Sequence, residues 1–205
     1  MWIKICGMTT AAGVSAAIAA GADAIGFVFA ESSRRLTPQT AARLARPARG
    51  RICRVAVTRH PTQTQVDEIV STFAPDVLQS DAADFEGLRL PAELARLPVL
   101  RAGEAVPAVL AARVLFEGPA SGAGTLTDWS AARGLARRTE LVLAGGLNAD
   151  NVAAAVAAVQ PYGVDVSSGV EARPGEKSPA EIMRFVAAVR AAAAAVLSLT
   201  REGST

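Results

Sequence analysis

The chain is poor in aromatic residues, histidine and cysteine, and each shortage excludes a class of protein. Of its 205 residues, 4% are aromatic, one is a histidine and two are cysteines. Two cysteines provide neither a disulfide framework nor a zinc-binding pattern, and so low a count is typical of proteins in a reducing compartment. The hydrophobic residues, 51% of the chain, are therefore mostly aliphatic, and we expect a core of Val, Leu, Ile and Ala.

The sequence also lacks a strong charge of either sign and any long apolar run. Its 21 basic and 19 acidic residues give a net charge of +2, which excludes a broad basic surface for nucleic acid. No apolar run reaches the length needed to span a bilayer, and the N-terminus has no signal-peptide core. These absences predict a soluble cytoplasmic protein with neither nucleic acid nor membrane as a partner. The length of 205 residues suits one domain over residues 1–205.

What the chain does contain is a regular alternation of short apolar segments with helical ones. This pattern predicts a parallel sheet covered by helices, with the sixth helix beginning at Asp128. The eight predicted strands are residues 2–6, 23–29, 52–57, 76–79, 97–101, 113–117, 141–144 and 163–166. Two architectures compete, an open doubly wound sheet and a closed (β/α)8 TIM barrel. The count of eight strands and the glycine loops described next favour the barrel.

The segment of residues 141–171 contains two loops suited to a phosphate group. The seventh predicted strand ends in Gly145, Gly146 and Leu147, and the eighth is followed by Ser168 and Gly169. Glycine lets the backbone turn sharply and present its amides, and the helix behind the first loop offers the positive end of its dipole. Paired phosphate-binding loops after the last two strands are a feature of (β/α)8 barrels. The sequence thus predicts a small phosphorylated substrate, with two ordinary turns as the alternative.

Polar residues also follow the other predicted strands, where a (β/α)8 barrel assembles its active site. They include a thiol, carboxylates, arginines and one imidazole: Cys6, Glu31, Arg34, Arg35, Thr58, Arg59, His60, Gln79, Ser80, Asp81, Arg101, Glu117, Asp165 and Ser167. The sequence shows no metal-site spacing and no dinucleotide glycine motif. A thiol and a carboxylate suit proton transfer in both directions, so these residues predict a reaction without metal or cofactor.

Several motifs occur in order along nearly the whole chain. They are KICGMT at residues 4–9, GADAIGF at 21–27, SRR at 33–35, GAG at 122–124 with DW at 128–129, AGGL at 144–147 and VDVSSGVE at 164–171. Together they resemble the motifs of the phosphoribosylanthranilate isomerase family. The resemblance implies a (β/α)8 enzyme of tryptophan biosynthesis that isomerises N-(5'-phosphoribosyl)anthranilate by a cofactor-free Amadori rearrangement.

The same resemblance implies roles for individual residues. It assigns the general base to Cys6 and the general acid to Glu117, with Arg35 binding the anthranilate carboxylate and Asp165 contacting the substrate. The phosphate would bind the backbone of Gly145, Gly146 and Leu147 together with Ser168 and Gly169. A thiol ordinarily has a pKa of about 8.5, and Lys4, on the same strand face as Cys6, could help to ionise it.

Two departures from the family pattern leave alternatives open. The acid is usually an aspartate, so Glu117 carries an extra methylene that moves the carboxylate by about 1.5 Å. After the fourth strand the family's Gln-Leu-His-Gly is replaced by QSDA at residues 79–82, which makes Asp81 a second candidate acid. Arg34 could take the role of its neighbour in binding the carboxylate. Asp165 could instead be a structural hydrogen-bond acceptor.

Other functions also stay open at this stage. A related phosphate-binding barrel, such as an indole-glycerol-phosphate synthase-like enzyme, would need a lysine acid on an inner strand, and the chain has only Lys4 and Lys177. A non-catalytic phosphosugar-binding protein would keep the phosphate loops without the acid. An isomerase for a related aminoaldose of histidine biosynthesis would use the same rearrangement. Either a monomer or a homodimer is compatible with the sequence.

Overall fold

A computed structural model describes residues 1–119 and 127–202 of the chain. Eight parallel strands close into a barrel in which each strand pairs with its sequence neighbours and the last pairs with the first. The strands are β1 Trp2–Ile5, β2 Ala24–Val28, β3 Cys53–Val57, β4 Val77–Asp81, β5 Ala95–Arg101, β6 Arg113–Glu117, β7 Glu140–Leu143 and β8 Gly163–Val166. The predicted (β/α)8 TIM barrel is confirmed, and all eight strands lie within about two residues of their predicted ends, the usual uncertainty of such boundaries.

The helices lie outside the barrel. Over the described residues they are α1 Ala11–Ala19, α2 Pro38–Leu44, α3 Gln63–Phe73, α4 Asp84–Gly87, α5 Trp129–Ala136, α6 Val152–Val159 and α7 Pro179–Glu202, with a 3-10 helix at Arg46–Ala48. None of the described helices is both long and apolar enough to cross a membrane.

The predicted alternation of strands and helices is wrong between β5 and β6. Residues 102–112 contain turns and bends but no helix, so the helix beginning at Trp129 is the fifth of the described α-helices and not the sixth. Gly103 in this connection has a φ of +89°, and Pro107 lacks the N–H that a helix interior needs. On this side, β5 and β6 are covered by an irregular segment.

Local signals fix where several helices begin. Thr10, Thr37 and Thr62 each accept a hydrogen bond from a backbone amide in the first turn of α1, α2 and α3, and Asp128 does the same for α5. Such caps satisfy amides that have no partner within the helix. They mark the ends of the strand-to-helix loops, which lie at the C-terminal rim of the barrel.

Strand side chains alternate between two hydrophobic cores because successive residues point to opposite faces of the sheet. The smaller core lies inside the barrel and consists of Leu97, Val99, Leu115, Val142 and Ala144. The larger core lies between strands and helices and includes Ile3, Ile5, Phe27, Leu78, Phe116 and Phe185. Both are dominated by aliphatic residues, as the composition predicted.

A hairpin that the sequence analysis did not predict follows the barrel. Its strands, β9 Glu171–Arg173 and β10 Glu176–Lys177, pair antiparallel around Gly175, whose φ is +84°. The Thr9 hydroxyl donates a hydrogen bond to the Gly175 carbonyl. The hairpin is therefore attached to the loop that follows β1.

Candidate active site

The thiol of Cys6 lies at the C-terminal end of β1, on the same face as Lys4. Cys6 is 7% exposed and Lys4 is fully buried. Gly26 on β2 leaves room for both side chains, since a Cβ there would lie 3.0 Å from Cys6 Sγ and 3.2 Å from Lys4 Cε. The Lys4 ammonium donates to Asp165 Oδ1 across the β1–β8 pair at 2.9 Å. The predicted base therefore lies beside a buried ion pair.

Burial and the neighbouring charges shift the pKa values of Cys6, Asp165 and Lys4 in opposite directions. Burial raises the pKa of the Cys6 thiol, and the Lys4 ammonium partly offsets the rise because it favours the thiolate. Burial also raises the pKa of Asp165, again opposed by Lys4. For Lys4, burial works to lower the pKa, but the charges and hydrogen bonds of Asp165 and Cys6 together outweigh it, and the net direction is upward. Lys4 is thus held as a cation next to the thiol.

Glu117 ends β6 and is held by Arg101, its register partner at the end of β5. The Arg101 guanidinium also donates to Asp81 at the end of β4, so one buried arginine joins both candidate acids. Burial works to lower the pKa of Arg101, but the two carboxylates outweigh it and the pKa rises. The Glu117 and Asp81 side chains are 14% and 15% exposed. Both carboxylates therefore have a fixed partner at the barrel rim.

His60, just after β3, continues this chain of polar contacts towards solvent. Its Nε2 is 3.4 Å from Asp81 Oδ2 and its Nδ1 is 2.9 Å from Asp84 Oδ1. Over the described residues, His60, Asp81 and Asp84 form the one group of three potential metal ligands whose ligand atoms lie within 4.8 Å of one another. Both imidazole nitrogens already face a carboxylate, and Arg59 and Arg101 flank Asp81. We therefore interpret the group as an ion-pair cluster.

The loops after β7 and β8 lie against each other. Gly145 and Gly146 have φ values of +92° and +65°, and Asn148 forms an isolated parallel bridge with Gly169. A Cβ on Gly169 would lie 2.0 Å from the carbonyl oxygen of Leu147, so no larger residue fits there. Four amides of these loops donate no hydrogen bond to another residue in the described part of the chain, those of Gly145, Gly146, Leu147 and Ser168.

Two asparagines fix the first of these loops. Asn151 Nδ2 donates to the Gly146 carbonyl at 2.8 Å, and Asn151 Oδ1 accepts from the Asn148 amide at 2.9 Å. The helix does not start directly after the glycines, because α6 begins at Val152. The reason is that Asn148 Oδ1 closes a local turn by accepting from the amides of Asp150 and Asn151. The N-terminus of α6 still lies directly behind the glycine loop.

The two adjacent arginines lie in different environments. Arg34 packs against Gly7 and donates through both Nε and a terminal nitrogen to the carboxylate of Glu171, at 2.7 and 2.8 Å. The Arg35 side chain is 50% exposed and pairs with Glu31. Arg35 also lines a cavity of about 550 Å³ beside α2 and α3, with Phe29 among its other lining residues.

Glu171 and Lys177 are site residues that the sequence analysis did not predict. Lys177 Nζ donates to Glu171 Oε1 and to the Ser167 carbonyl, both at 2.8 Å, and its side chain is fully buried. A signal was present, because only two of the 21 basic residues are lysines. Both lysines are buried, which is rare for lysine unless it is paired.

The structure groups most of the predicted site residues at one rim. Cys6 and Asp165 lie around Lys4, Glu117 lies with Asp81 on Arg101, and the two phosphate loops contact each other. Arg35 lies apart, at the cavity beside α2 and α3. The GAG motif at residues 122–124 is outside the described residues.

Comparison with known proteins gives a consistent set of matches. A family model described as N-(5'phosphoribosyl)anthranilate (PRA) isomerase matches residues 3–188. An N-(5'-phosphoribosyl)anthranilate isomerase of Rhizobium etli is 40% identical over 215 residues, covering 96% of this chain and 97% of that protein.

Solved structures agree with these matches. The crystal structure of phosphoribosyl anthranilate isomerase from Thermus thermophilus is similar, with 27% identity, a TM-score of 0.81 and coverage of 93% and 99% of the two chains. A further isomerase structure, in complex with reduced 1-(o-carboxyphenylamino)-1-deoxyribulose 5-phosphate, has 26% identity, a TM-score of 0.74 and the same coverage of 93% and 99%.

Proposed function

The chain belongs to the N-(5'-phosphoribosyl)anthranilate isomerase family of tryptophan biosynthesis, and from this premise we propose its reaction and its catalytic residues. The proposed reaction converts N-(5'-phosphoribosyl)anthranilate to 1-(2-carboxyphenylamino)-1-deoxyribulose 5-phosphate by an Amadori rearrangement. Cys6 is the general base and Glu117 the general acid.

One observation carries this proposal, the order of the strands around the barrel. Going round from β6, the closed sheet runs β6, β7, β8, β1. Glu117 ends β6 and Cys6 follows β1, so the proposed phosphate loops after β7 and β8 lie between the acid and the base along the rim. A phosphate bound there would anchor the sugar between the two groups. Positioning of this kind can supply a large part of a catalytic effect.

The reaction then needs two proton transfers. Glu117 donates a proton to the furanose ring oxygen, the bond between C1' and that oxygen breaks, and the anilino nitrogen lone pair forms a C=N bond to C1'. The positive iminium makes the C2' proton acidic, and the Cys6 thiolate removes it to give an enol-amine, which tautomerises to the ketose. Lys4 favours the thiolate, which is the reactive form of cysteine.

The phosphate site follows from the two loops. We assign the phosphate oxygens to the amides of Gly145, Gly146 and Leu147 after β7 and to Ser168 and Gly169 after β8. The positive end of the α6 dipole adds to the attraction for an anion. The contact between Gly169 and the Leu147 carbonyl keeps the two loops together.

The remaining substrate groups are assigned to Arg35 and Asp165. Arg34 is already paired bidentately with Glu171 through Nε and one terminal nitrogen. Among the described residues, the ion-pair partner of Arg35 is the exposed Glu31, and exposed pairs are weak. We therefore keep Arg35 as the residue for the anthranilate carboxylate. Asp165 Oδ1 accepts from Lys4, and Asp165 Oδ2 accepts no hydrogen bond from the described residues, so it can accept one from a sugar hydroxyl.

Three further properties complete the proposal. Both steps are proton transfers that side chains can perform, so the mechanism uses neither metal nor cofactor. A base that is a free thiol favours a reducing compartment, and we place the enzyme in the cytoplasm. We also propose that residues 1–205 form one domain, active as a monomer or as a homodimer.

The test follows the loss of phosphoribosylanthranilate fluorescence with wild type, Cys6→Ala and Glu117→Gln. Gln keeps the size of Glu117 and can still accept from Arg101, but it has no acidic proton to give. Removing a general acid or base typically costs about 10²–10⁴-fold in rate, and we expect kcat losses in that range for both variants.

Two further variants separate the alternatives. Asp81→Asn should retain most of the activity, and Glu117→Asp, with the usual residue of the family, should retain more than Glu117→Gln. An active Glu117→Gln with an inactive Asp81→Asn would transfer the acid role to Asp81. Folded wild type that binds inorganic phosphate without turnover would instead identify a phosphosugar-binding protein.

A further inference from the structure

A buried cation connects the proposed base to the proposed phosphate loop. Lys177 Nζ donates to the Ser167 carbonyl at 2.8 Å and lies 3.3 Å from Ser167 Oγ. The Ser167 hydroxyl in turn donates to the Cys6 carbonyl at 3.2 Å. Two consecutive hydrogen bonds, both made by the Ser167 hydroxyl, therefore link Lys177 to the peptide unit that follows Cys6.

The planarity of the peptide unit gives the first contact a directional effect. The Ser167 carbonyl and the Ser168 amide belong to one trans peptide, so they point in opposite directions. Lys177 fixes the carbonyl, and the Ser168 N–H must then point away from Lys177. That amide donates to no other described residue and is one of the proposed phosphate donors.

Hydrogen bonds also fix the orientation of the peptide between Cys6 and Gly7. The Cys6 carbonyl accepts from the Ser167 hydroxyl, and the Gly7 amide donates to the Gly26 carbonyl at 2.9 Å. This peptide is held from both edges, which fixes the direction in which the Cys6 side chain leaves the backbone. Gly7 itself has a φ of +78°, and a Cβ on it would lie 3.2 Å from Ser167 Oγ.

Lys177 is itself held from several sides. Glu171 Oε1 accepts from it at 2.8 Å, and Arg34 holds the same carboxylate bidentately. The Lys177 stem packs against Gly13 of α1, where a Cβ would lie 3.2 Å from Lys177 Cβ. An ammonium with this many partners has little freedom to move.

We propose that Lys177 is a positioning residue that sets both the orientation of the Ser168 amide and the backbone at Cys6 through the Ser167 peptide. The proposal rests on the proposed roles of Cys6 and of the phosphate loops. In addition, the positive charge of Lys177 favours the thiolate form of Cys6. The charged groups around the thiol are Lys4 and Asp165 on β1 and β8, Arg34 after β2, and Lys177 on β10.

The experiment compares Lys177→Met and Ser167→Ala in a Cys53→Ala background, so that iodoacetamide reports on Cys6 alone. Three quantities are measured: the Kd for inorganic phosphate, the pH profile of Cys6 alkylation, and kcat and KM. Arg54→Met is the control, because it also removes a buried cation that forms an ion pair, here with the partly exposed Asp76, but at the opposite end of the barrel.

Lys177→Met should weaken phosphate binding and lower kcat, each by about tenfold or more. It should also shift the alkylation profile of Cys6 to higher pH, because a cation near the thiol is lost. Ser167→Ala keeps the carbonyl contact with Lys177 and should change kcat and the Cys6 profile while phosphate Kd stays within about twofold. Arg54→Met should lose stability and keep both the Kd and the Cys6 profile.

A folded Lys177→Met with the wild-type phosphate Kd and Cys6 profile would show that Lys177 only fills space, and the proposal would be wrong. If Lys177→Met does not fold, Ser167→Ala decides, because an unchanged kcat and Cys6 profile in that variant would overturn the link to Cys6. Phosphate binding and alkylation need no turnover. A wild type without isomerase activity would therefore contradict the proposed function and still leave this test valid.

Discussion

At the scale of single residues, Glu171 is the carboxylate that pairs with two cations beside the site. Its carboxylate accepts from Arg34 twice and from Lys177 once. Burial works to raise the pKa of Glu171, but these hydrogen bonds and charges outweigh it and the pKa lies below its ordinary value. The buried Lys177 and the mostly buried Arg34 thus share one carboxylate, and neither has another carboxylate partner among the residues that the structure describes.

This arrangement predicts how stability depends on pH. A carboxyl group whose pKa is lowered by folding stabilises the fold above its ordinary pKa of about 4.3, and the contribution is lost as pH falls through the folded value. Glu171→Gln should therefore cost about 3–5 kcal/mol at neutral pH, and the difference from wild type should shrink as the pH falls below about 4. Urea unfolding between neutral and acidic pH measures both.

Glu176→Gln is the matched control for this prediction. Glu176 lies on the same hairpin, and its pair with Arg173 is exposed, so its loss should change stability by no more than about 1 kcal/mol. Equal effects of the two substitutions, or a Glu171→Gln difference that stays constant with pH, would contradict the assigned role of the buried carboxylate.

At the scale of elements, the strand-to-helix loops determine what the barrel can bind. The loop after β7 turns through two left-handed glycines and is fixed by Asn148 and Asn151. The loop after β8 approaches it so closely at Gly169 that a Cβ would meet the Leu147 carbonyl oxygen at 2.0 Å. The two elements therefore form one rigid surface, although β8 is separated in sequence from the first loop by a whole helix.

Gly169→Ala is predicted to separate these loops. The clash is with backbone, which cannot rotate away as a side chain can, so we expect a loss of about 1–3 kcal/mol in unfolding free energy together with weaker binding of inorganic phosphate. Thermal unfolding with and without phosphate measures both effects. Retention of the wild-type phosphate affinity would show that the contact between the loops is not needed for the site.

Gly134→Ala provides the control for a glycine outside the site. Gly134 lies in α5, and a Cβ at this position would have no neighbouring atom within 4 Å, so alanine should fit without a clash. Because alanine is the better helix former, this substitution should stabilise the protein by about 0.5–1 kcal/mol and leave phosphate binding unchanged.

At the scale of the whole molecule, closure of the barrel brings the first and the last barrel strands together. β1 pairs with β8 along four register positions, and Arg190 of α7 donates to the carbonyls of Met1 and Gly21 and to the Asp23 carboxylate. The opposite side is covered differently, since α4 is one turn and no helix connects β5 to β6. The helical layer is therefore uneven around the barrel.

Hydrogen exchange should show this asymmetry. Within residues 102–112, the amides of Ala102 and Glu104 donate to backbone carbonyls, whereas those of residues 105–112 do not, and unprotected amides exchange through small local openings. We expect residues 105–112 to exchange much faster than the neighbouring strands β5 and β6 and faster than α6. Protection in this segment equal to that of α6 would contradict the expectation and indicate a covering that the fold does not show.

The sequence by itself determined the parts of this protein that depend on local chemistry. The apolar pattern located eight strands, and Asp128 located the start of α5, because strand alternation and capping involve residues a few positions apart. The same local signals placed Cys6 after β1, Glu117 at the end of β6 and the glycines after β7. Even so, these signals predicted one helix too many, because the segment with Gly103 and Pro107 that connects β5 to β6 was expected to contain a helix.

Only the tertiary structure decided which of these residues meet. Lys4 and Asp165 are 161 positions apart and Arg34 and Glu171 are 137 apart, and they meet because the barrel closes with one register between β1 and β8. The different surroundings of the two adjacent arginines, Arg34 paired with Glu171 and Arg35 at the cavity beside α2 and α3, also depend on where the loop after β2 lies relative to the hairpin. Register and closure are set by the packing of all eight strands together, and no short stretch of sequence contains that information.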